Sequence, residues 1–240
     1  MIELPIKNST DIYKVNPSKI IALGKNYLAH IKERHDIHVS SFTDEVPAEP
    51  ILFAKTTNCL VGPDKAIVIP KIVTDYGFDE PHTHYEAELA FFIKETCKNI
   101  SKEDAFKVIY GFTCMNDVSQ RNIQSSDKSG WFRGKSFDTF GPIGPCVVRT
   151  EDIKDVQNLN IKCRLNGKLM QDSNTSLMLF SIDETVAFIS RNFTLQAGDI
   201  ITTGTPAGVG DIKHNDLVEI EIEQIGILRN TVIDEGIING

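Results

Sequence analysis

The segment His84-Tyr-Glu86-Ala-Glu88-Leu89 constrains this chain more than any other. It falls in the run Tyr85 to Ile93, whose short apolar and alternating pattern is that of a β-strand. A strand period of two sends His84, Glu86 and Glu88 to one face and Tyr85, Ala87 and Leu89 to the other. Two carboxylates this close repel unless a proton or a cation lies between them, and a divalent metal is the usual remedy. The same pattern also describes a strand with a solvated acidic face. Asp117 is the candidate third ligand, because it ends the apolar strand Tyr110 to Met115, where a charge is unexpected unless paired. Glu86, Glu88 and Asp117 make an all-oxygen set suited to Mg²⁺ or Mn²⁺, leaving roughly three octahedral positions for water or a bidentate ligand.

Around this feature the chain reads as strands with few helices. Lys19 to Leu23, Ile51 to Ala54 and Ala66 to Ile69 have short apolar strand patterns, punctuated by Gly62-Pro63 and Pro70. Asn26 to Glu33 reads as a helical turn with His30 and Glu33 on one face. Ser101-Lys-Glu-Asp104 is a capping signature, predicting a helix of about three turns through Ala105, Phe106, Val108 and Ile109. Asn166-Gly167 predicts a hairpin between Ile161 to Leu165 and Lys168 to Gln171, since both turn residues tolerate positive φ. Asp183 to Asn192 reads as a helix whose apolar face carries Val186, Ile189 and Phe193, followed by a strand over Ile200 to Thr203. Leu217 to Ile222 and Ile227 to Val232 alternate as closing strands. The expected class is therefore β-dominated α+β rather than regular βαβ units. Polar loops are expected at Arg34 to Glu49, Thr74 to His82 and Gln124 to Gly134.

Other residues offer chemistry near this acidic set. His30 and Glu33 can form a base and its orienter, although a surface helix pair has the same spacing. Gly134-Lys135-Ser136 fails as a P-loop, since that motif needs glycine where Ser129 stands, so Lys135 is a lone cation. Thr202 to Gly210 is a glycine-rich loop able to present backbone N–H groups and the Thr205 hydroxyl to a carboxylate, or simply a tight turn. Arg121 and Gln124, one helical turn apart, can bind a substrate carboxylate or be merely solvated.

Composition narrows the function classes. With 240 residues, 41% hydrophobic and 24% charged, the chain can bury roughly 70% of its unfolded surface, which excludes disorder and disulfide-dependent miniproteins. A formal charge of −8 works against nucleic acid and anionic membranes as partners. No apolar run approaches the ~18 residues of a membrane helix, and Met1 to Ile20 lacks signal-peptide order, so a cytoplasmic location is expected. Five scattered cysteines without a C-x-x-C read as reduced, mostly buried thiols.

Taken in order, Gly24-Lys-Asn-Tyr-Leu-Ala-His30-Ile-Lys-Glu33, Pro50-Ile-Leu-Phe53-Ala-Lys55, His84-Tyr-Glu86-Ala-Glu88-Leu89, Gly111 to Gln124, Gly134-Lys-Ser-Phe-Asp138 and Thr203-Gly-Thr-Pro206 resemble the fumarylacetoacetate hydrolase superfamily. The resemblance runs from about Lys19 to about Val232, and Asn166-Gly167 with Gln171 and Leu195 to Asp199 fit it too. Among its branches the chain is most similar to the acylpyruvate hydrolase and oxaloacetate decarboxylase group. The resemblance implies a mixed β-sheet roll with few peripheral helices, usually a homodimer, with Mg²⁺ or Mn²⁺ held by Glu86, Glu88 and Asp117. It implies one catalytic domain over 1–240, in which 1–49 forms an N-terminal segment with a lid around His30 and 50–240 the metal-binding core. Where the family often has an acidic residue two before the first metal glutamate, this chain has His84, which points to support of a ligand rather than direct ligation.

The activity implied is cleavage of an acylpyruvate-type 2,4-dioxo acid to pyruvate and a carboxylic acid through a metal-stabilised enolate. His30 with Glu33 would activate water, Lys135 would steady negative charge, and Lys25, Arg121, Gln124, Gly204 and Thr205 would bind a small 2-oxo acid. The same electron sink would serve oxaloacetate decarboxylation, or isomerisation or decarboxylation of a 2-hydroxy-dienoate. A metal-binding interaction module without catalysis is the reading of a different class; it has no need of His30 or Lys135.

Overall fold

The computed structural model describes residues 2–33, 45–128 and 131–238. In chain order its strands are β1 (Ile2–Pro5), β2 (Ile12–Val15), β3 (Ile20–Gly24), β4 (Ile51–Lys55), β5 (Leu60–Val61) and β6 (Ile67–Ile69). There follow β7 (Thr83–Tyr85), β8 (Ala87–Ile93), β9 (Ile109–Asn116), β10 (Ser119–Gln120) and β11 (Gly141–Arg149). The last are β12 (Asn160–Leu165), β13 (Lys168–Asn174), β14 (Ile200–Thr202), β15 (Gly210–Asp211), β16 (Leu217–Ile222) and β17 (Gly226–Asp234). Helices are short and peripheral: α1 (Leu28–Lys32), α2 (Lys71–Asp75), α3 (Arg121–Ser126), α4 (Phe132–Lys135), α5 (Ile182–Asn192) and α6 (Glu235–Ile238). This is the β-dominated α+β class expected from the sequence. None of the described helices is long and apolar enough to cross a membrane.

A seven-stranded mixed sheet, ordered β4-β3-β14-β8-β9-β11-β5, lies beside a five-stranded sheet ordered β13-β12-β16-β17-β6. β8 is central and every residue in it is buried, which is why it reads Ala-Glu-Leu-Ala-Phe-Phe-Ile with one charge only. One hydrophobic cluster extends from Leu4 through Phe91, Phe112 and Ile161 to Val232. The Asn166-Gly167 hairpin forms as expected, with φ of 52° and 79° at its two turn residues. All five cysteines are free, and four are buried.

Several expectations are corrected. The strand from Tyr85 to Ile93 is interrupted at Glu86: β7 joins a three-stranded sheet with β10 and β15, whereas β8 pairs with β9 and β14. The interruption is held by two hydrogen bonds, Glu86 N–H to Asn116 Oδ1 at 2.9 Å and Asp117 N–H to the Glu86 carbonyl at 2.9 Å. The helix expected after Asp104 is a single 3-10 turn, Ala105–Val108. Ala105 and Val108 are both buried by that one turn, and Ile109 already begins β9, so no further helix can form. Ser101 spends its hydroxyl on the Asp104 carboxylate rather than on a helix N-terminus.

The loop expected at Thr74 to His82 begins inside α2, and that at Gln124 to Gly134 is largely α3 and α4, with the Gln120 side chain accepting the Ile123 N–H as a cap. Phe193 does not join the apolar face of α5; the helix ends at Asn192, the backbone turns extended, and Phe193 is 47% exposed. In the expected loop Arg34 to Glu49, residues 34–44 lie outside the described residues.

β9 can pass under β11 because Gly111 has no side chain. A Cβ there would lie 2.5 Å from the Val148 carbonyl oxygen. Gly111→Ala is expected to lower the unfolding free energy by about 1–3 kcal/mol, read by urea titration.

Candidate metal centre

Because both chain segments break at the same place, the Glu86 and Asp117 backbones are locked together while Glu88 enters from the next pleat of β8. Ala87 faces Asn116 and Glu88 faces Met115 in the β8–β9 register. Carboxylate oxygens of Glu86, Glu88 and Asp117 all lie within 4.8 Å of one another, and all three residues are buried. The interruption at Glu86 thus preserves the convergence that strict alternation predicts.

Buried charge of this density needs compensation, and three cations supply it. Arg121 Nη2 donates to Glu86 Oε1. Lys135 Nζ lies 2.6 Å from Glu86 Oε2 and 2.6 Å from Asp117 Oδ2. Lys55 Nζ sits 2.7 Å from Asp117 Oδ1, an ion pair too far off line to be a hydrogen bond. The outer oxygen of each of these two ligands is clamped by its own cation, and the two inner oxygens share Lys135. Glu88 is held differently: its Oε2 accepts from the Thr202 hydroxyl and from the Gly204 N–H, the latter at 3.0 Å.

The electrostatics follow from these partners. Burial alone would raise the Glu86 carboxyl, but Arg121 and then Lys135 hold it well below the usual carboxylate range. Glu88 moves the other way, pushed well up by burial and then by the negative charges of Asp117 and Glu86. For Lys55, burial favours the neutral amine, yet Asp117 with Cys59 and Glu86 together outweigh it and raise the ammonium's pKa. His84 is pulled down to about 4 by burial, and the Arg121 charge adds to this.

A cavity of about 20 Å³, room for one water or one ion, opens at this cluster. Lys25, His30, Gln124, Lys135 and Thr205 line it with Glu86, Glu88 and Arg121. His30 Nδ1 is 3.0 Å from Glu33 Oε2, and Glu33 Oε1 accepts the Gly208 N–H at 2.6 Å, so Glu33 stands behind the imidazole and is itself anchored. Arg121, Gln124, Thr205 and Gly204 of the expected substrate set are already engaged with protein. Arg121 donates to Glu86, to Gln124 Oε1 at 3.0 Å and to His84 Nδ1 at 3.1 Å. The Thr205 hydroxyl accepts from Gln171 at 2.8 Å, and Gly204 N–H serves Glu88 instead of the cavity.

Some participants escape sequence reasoning. Lys55 lies in a quoted segment but has no motif of its own; its signal is a charge closing the apolar strand Ile51–Lys55. Trp131 and Phe53 pack edge to face, with centroids 5.3 Å apart, and wall the cavity. Asn116, which accepts the Glu86 N–H, and Asp211, near His84, carry no sequence signal at all.

The set fits a hard divalent cation on structural grounds. Three buried carboxylates converge, burial and the negative charges of Asp117 and Glu86 raise the proton affinity of Glu88, and Lys135 lies between two of the three.

Residues 19–233 match the family model described as fumarylacetoacetate (FAA) hydrolase C-terminal. The mitochondrial oxaloacetate tautomerase of Xenopus laevis is 41% identical over 91% of this chain and 66% of its own length. A crystal structure of 2-hydroxyhepta-2,4-diene-1,7-dioate isomerase from Mycobacterium marinum is 38% identical, with a TM-score of 0.78 over 92% of this chain and 77% of that one. Fumarylpyruvate hydrolase from Pseudomonas aeruginosa, in complex with Mn²⁺ and pyruvate, is 27% identical, with a TM-score of 0.83 over 98% of this chain and 96% of that one.

Asp117 is the counter-charge of two buried lysines, whereas Glu88 is repelled by its neighbours. In metal-free buffer Asp117→Asn should therefore cost roughly 3 kcal/mol of unfolding free energy, while Glu88→Gln should cost nothing or stabilise. Urea titrations with chelator present measure both.

Proposed function

The chain belongs to the fumarylacetoacetate hydrolase family, and from that premise we propose that it is a Mg²⁺- or Mn²⁺-dependent enzyme cleaving an acylpyruvate-type 2,4-dioxo acid to pyruvate and a carboxylic acid. One observation carries the reading: Glu86 and Glu88 of the carboxylate cluster line the same cavity as His30, behind which Glu33 stands. Glu86, Glu88 and Asp117 would hold the ion, with Arg121 and Lys55 as counter-charges to Glu86 and Asp117. When bound, the ion supplies Lewis acidity to the 1-carboxylate and 2-oxo group of the substrate.

The chain's own residues do the remainder. The hydrogen bond to Glu33 places the His30 proton on Nδ1, which makes Nε2 the basic nitrogen. His30 takes a proton from water, and the hydroxide adds to the distal carbonyl carbon. The C–C bond beyond C3 then breaks, its electron pair passing to C3 and the 2-oxo group, and C3 is reprotonated to give pyruvate. Lys135, whose Nζ lies at the carboxylate cluster, would offset charge growing on the 2-oxo oxygen. Gln124 and Thr205 line the cavity as orienting groups, and Phe53 with Trp131 excludes bulk water.

A second reading is tautomerisation of oxaloacetate, favoured by the 41% identity to an enzyme of that name. The same base would then move a C3 proton and no water would react. In both readings the partner is a small 2-oxo acid, and a homodimer in the cytoplasm is part of the proposal.

Metal-stripped protein is assayed with and without Mg²⁺ or Mn²⁺ on acetylpyruvate and on oxaloacetate in parallel. Metal-dependent release of pyruvate and acetate supports hydrolysis. Keto–enol interconversion of oxaloacetate alone supports the tautomerase, CO₂ release alone a decarboxylase. Inactivity on both, and on larger dienoates, with metal bound leaves a non-catalytic metal-binding module. His30→Ala should reduce acetylpyruvate hydrolysis about 100-fold while Mn²⁺ still binds; an unchanged rate would remove His30 as the base.

A further inference from the structure

We infer that Asp211 and His84 are positioning residues: they hold the Arg121 guanidinium, and through it the Glu86 carboxylate, in the orientation the metal centre needs. The inference rests on the reading of Glu86 as a metal ligand. Asp211 lies in β15, paired directly opposite His84 of β7. His84 Nε2 is 3.2 Å from Asp211 Oδ1, and His84 Nδ1 is 3.1 Å from Arg121 Nε. A guanidinium has donors only, so His84 Nδ1 accepts and its proton sits on Nε2, aimed at Asp211. The chain of donors runs one way, from His84 to Asp211 at one end and from Arg121 to His84 and Glu86 at the other. His82 Nδ1, 3.1 Å from both Asp211 oxygens, fixes the far end.

This relay answers a need created by the fold. Glu86 lies between two strands, so the ladders of β7 and β8 do not set its side chain; Arg121 holds its Oε1 and Lys135 its Oε2. Arg121 opens α3, a helix of six residues, and its planar fork is aligned by what each nitrogen meets: His84, Gln124 and Glu86. Without an acceptor at position 84, the guanidinium is free to rotate away from Glu86 Oε1.

The same geometry argues against a competing use of these residues. His82, His84 and Asp211 have donor atoms within 4.8 Å of one another, as a second metal site would require, and they border a cavity of about 590 Å³ of which His82 and Asp211 form part of the wall. Yet the Nδ1 lone pair of His84 accepts from Arg121, so Nε2 carries the proton and offers no lone pair to an ion. Metal binding there would need an imidazolate or a displaced Arg121.

The test is a Mn²⁺ titration followed by electron paramagnetic resonance of the free ion, on the full chain and four variants, with urea unfolding alongside. The wild type should bind one Mn²⁺ per chain. His84→Ala should weaken it about tenfold, the range typical of groups that orient metal ligands, with Asp211→Ala weakening it several-fold. His84→Asn keeps an acceptor near Arg121 Nε, and Asp211→Asn keeps one for His84 Nε2, so each should recover most of the affinity its alanine variant loses. Binding unchanged in both alanine variants overturns the relay and leaves the metal centre standing. Losses as large in the asparagine variants overturn it too, because charge rather than hydrogen-bond geometry would then be responsible. A second Mn²⁺ abolished by Asp211→Ala overturns it in favour of a separate site. A wild type that binds no Mn²⁺ removes the metal reading and the relay together. Should His84→Ala fail to fold, Asp211→Ala against Asp211→Asn decides, since Asp211 is a third exposed and packs less of the core.

Discussion

Three carboxylates buried against one another are the constraint to which this structure conforms. Leaving such groups out of water is costly enough that a chain would ordinarily avoid it, and here the cost is met by three separate cations drawn from distant parts of the sequence. Lys55 comes from the edge strand of the large sheet, Arg121 from the first residue of a short helix, Lys135 from the last residue of another. Each has to arrive for the others to be tolerated. The polar centre is built into the apolar core: Glu88 lies in β8 and Asp117 directly follows β9, and every residue of these two strands except Tyr110 is buried.

The break at Glu86 turns that constraint into a site. A continuous strand would have put His84, Glu86 and Glu88 in a row along one sheet face. Instead the chain passes from the three-stranded sheet to the seven-stranded one at Glu86, leaving His84 in the first and Glu88 in the second, and Asp117 makes the same passage in the opposite direction beside it. Cavities form readily where sheets part, because the ladder no longer fills the space between strands. The small opening at this junction collects His30, Lys135 and Gln124 from three further segments, which is the arrangement that small-molecule enzymes of several reaction types share. Relatives and structural neighbours named for hydrolysis, isomerisation and tautomerisation fit that picture.

Much of this was legible in the residues. Period-two alternation marked Glu86 and Glu88 as a pair, an isolated acid at the end of an apolar strand marked Asp117, and i, i+3 spacing marked His30 with Glu33. Asn166-Gly167 announced its hairpin because few other dipeptides adopt positive φ twice in succession. The misreadings share one cause. Ser101 to Asp104 looks like a helix start, but Ile109 is claimed by β9 before a second turn can form, and Phe193 matches the helical spacing of α5 yet falls just past the helix end. Local pattern states what a segment prefers; neighbours decide how far it may extend.

The sequence by itself determined the β-rich class, the acidic trio, the pairing of His30 with Glu33 and the family to which the chain belongs, because each is written in residue type at short spacing. Only the tertiary structure decided which cation meets which oxygen. Lys55, Lys135 and Arg121 are indistinguishable from solvated surface charges until the sheets bring them to Asp117 and Glu86, and Asp211 acquires meaning only through the register that sets it opposite His84. The physical reason is range: alternation and turn preference act within a few residues, whereas charge pairing acts through space, joining Lys55 to Asp117 62 positions away and His84 to Asp211 127 positions away.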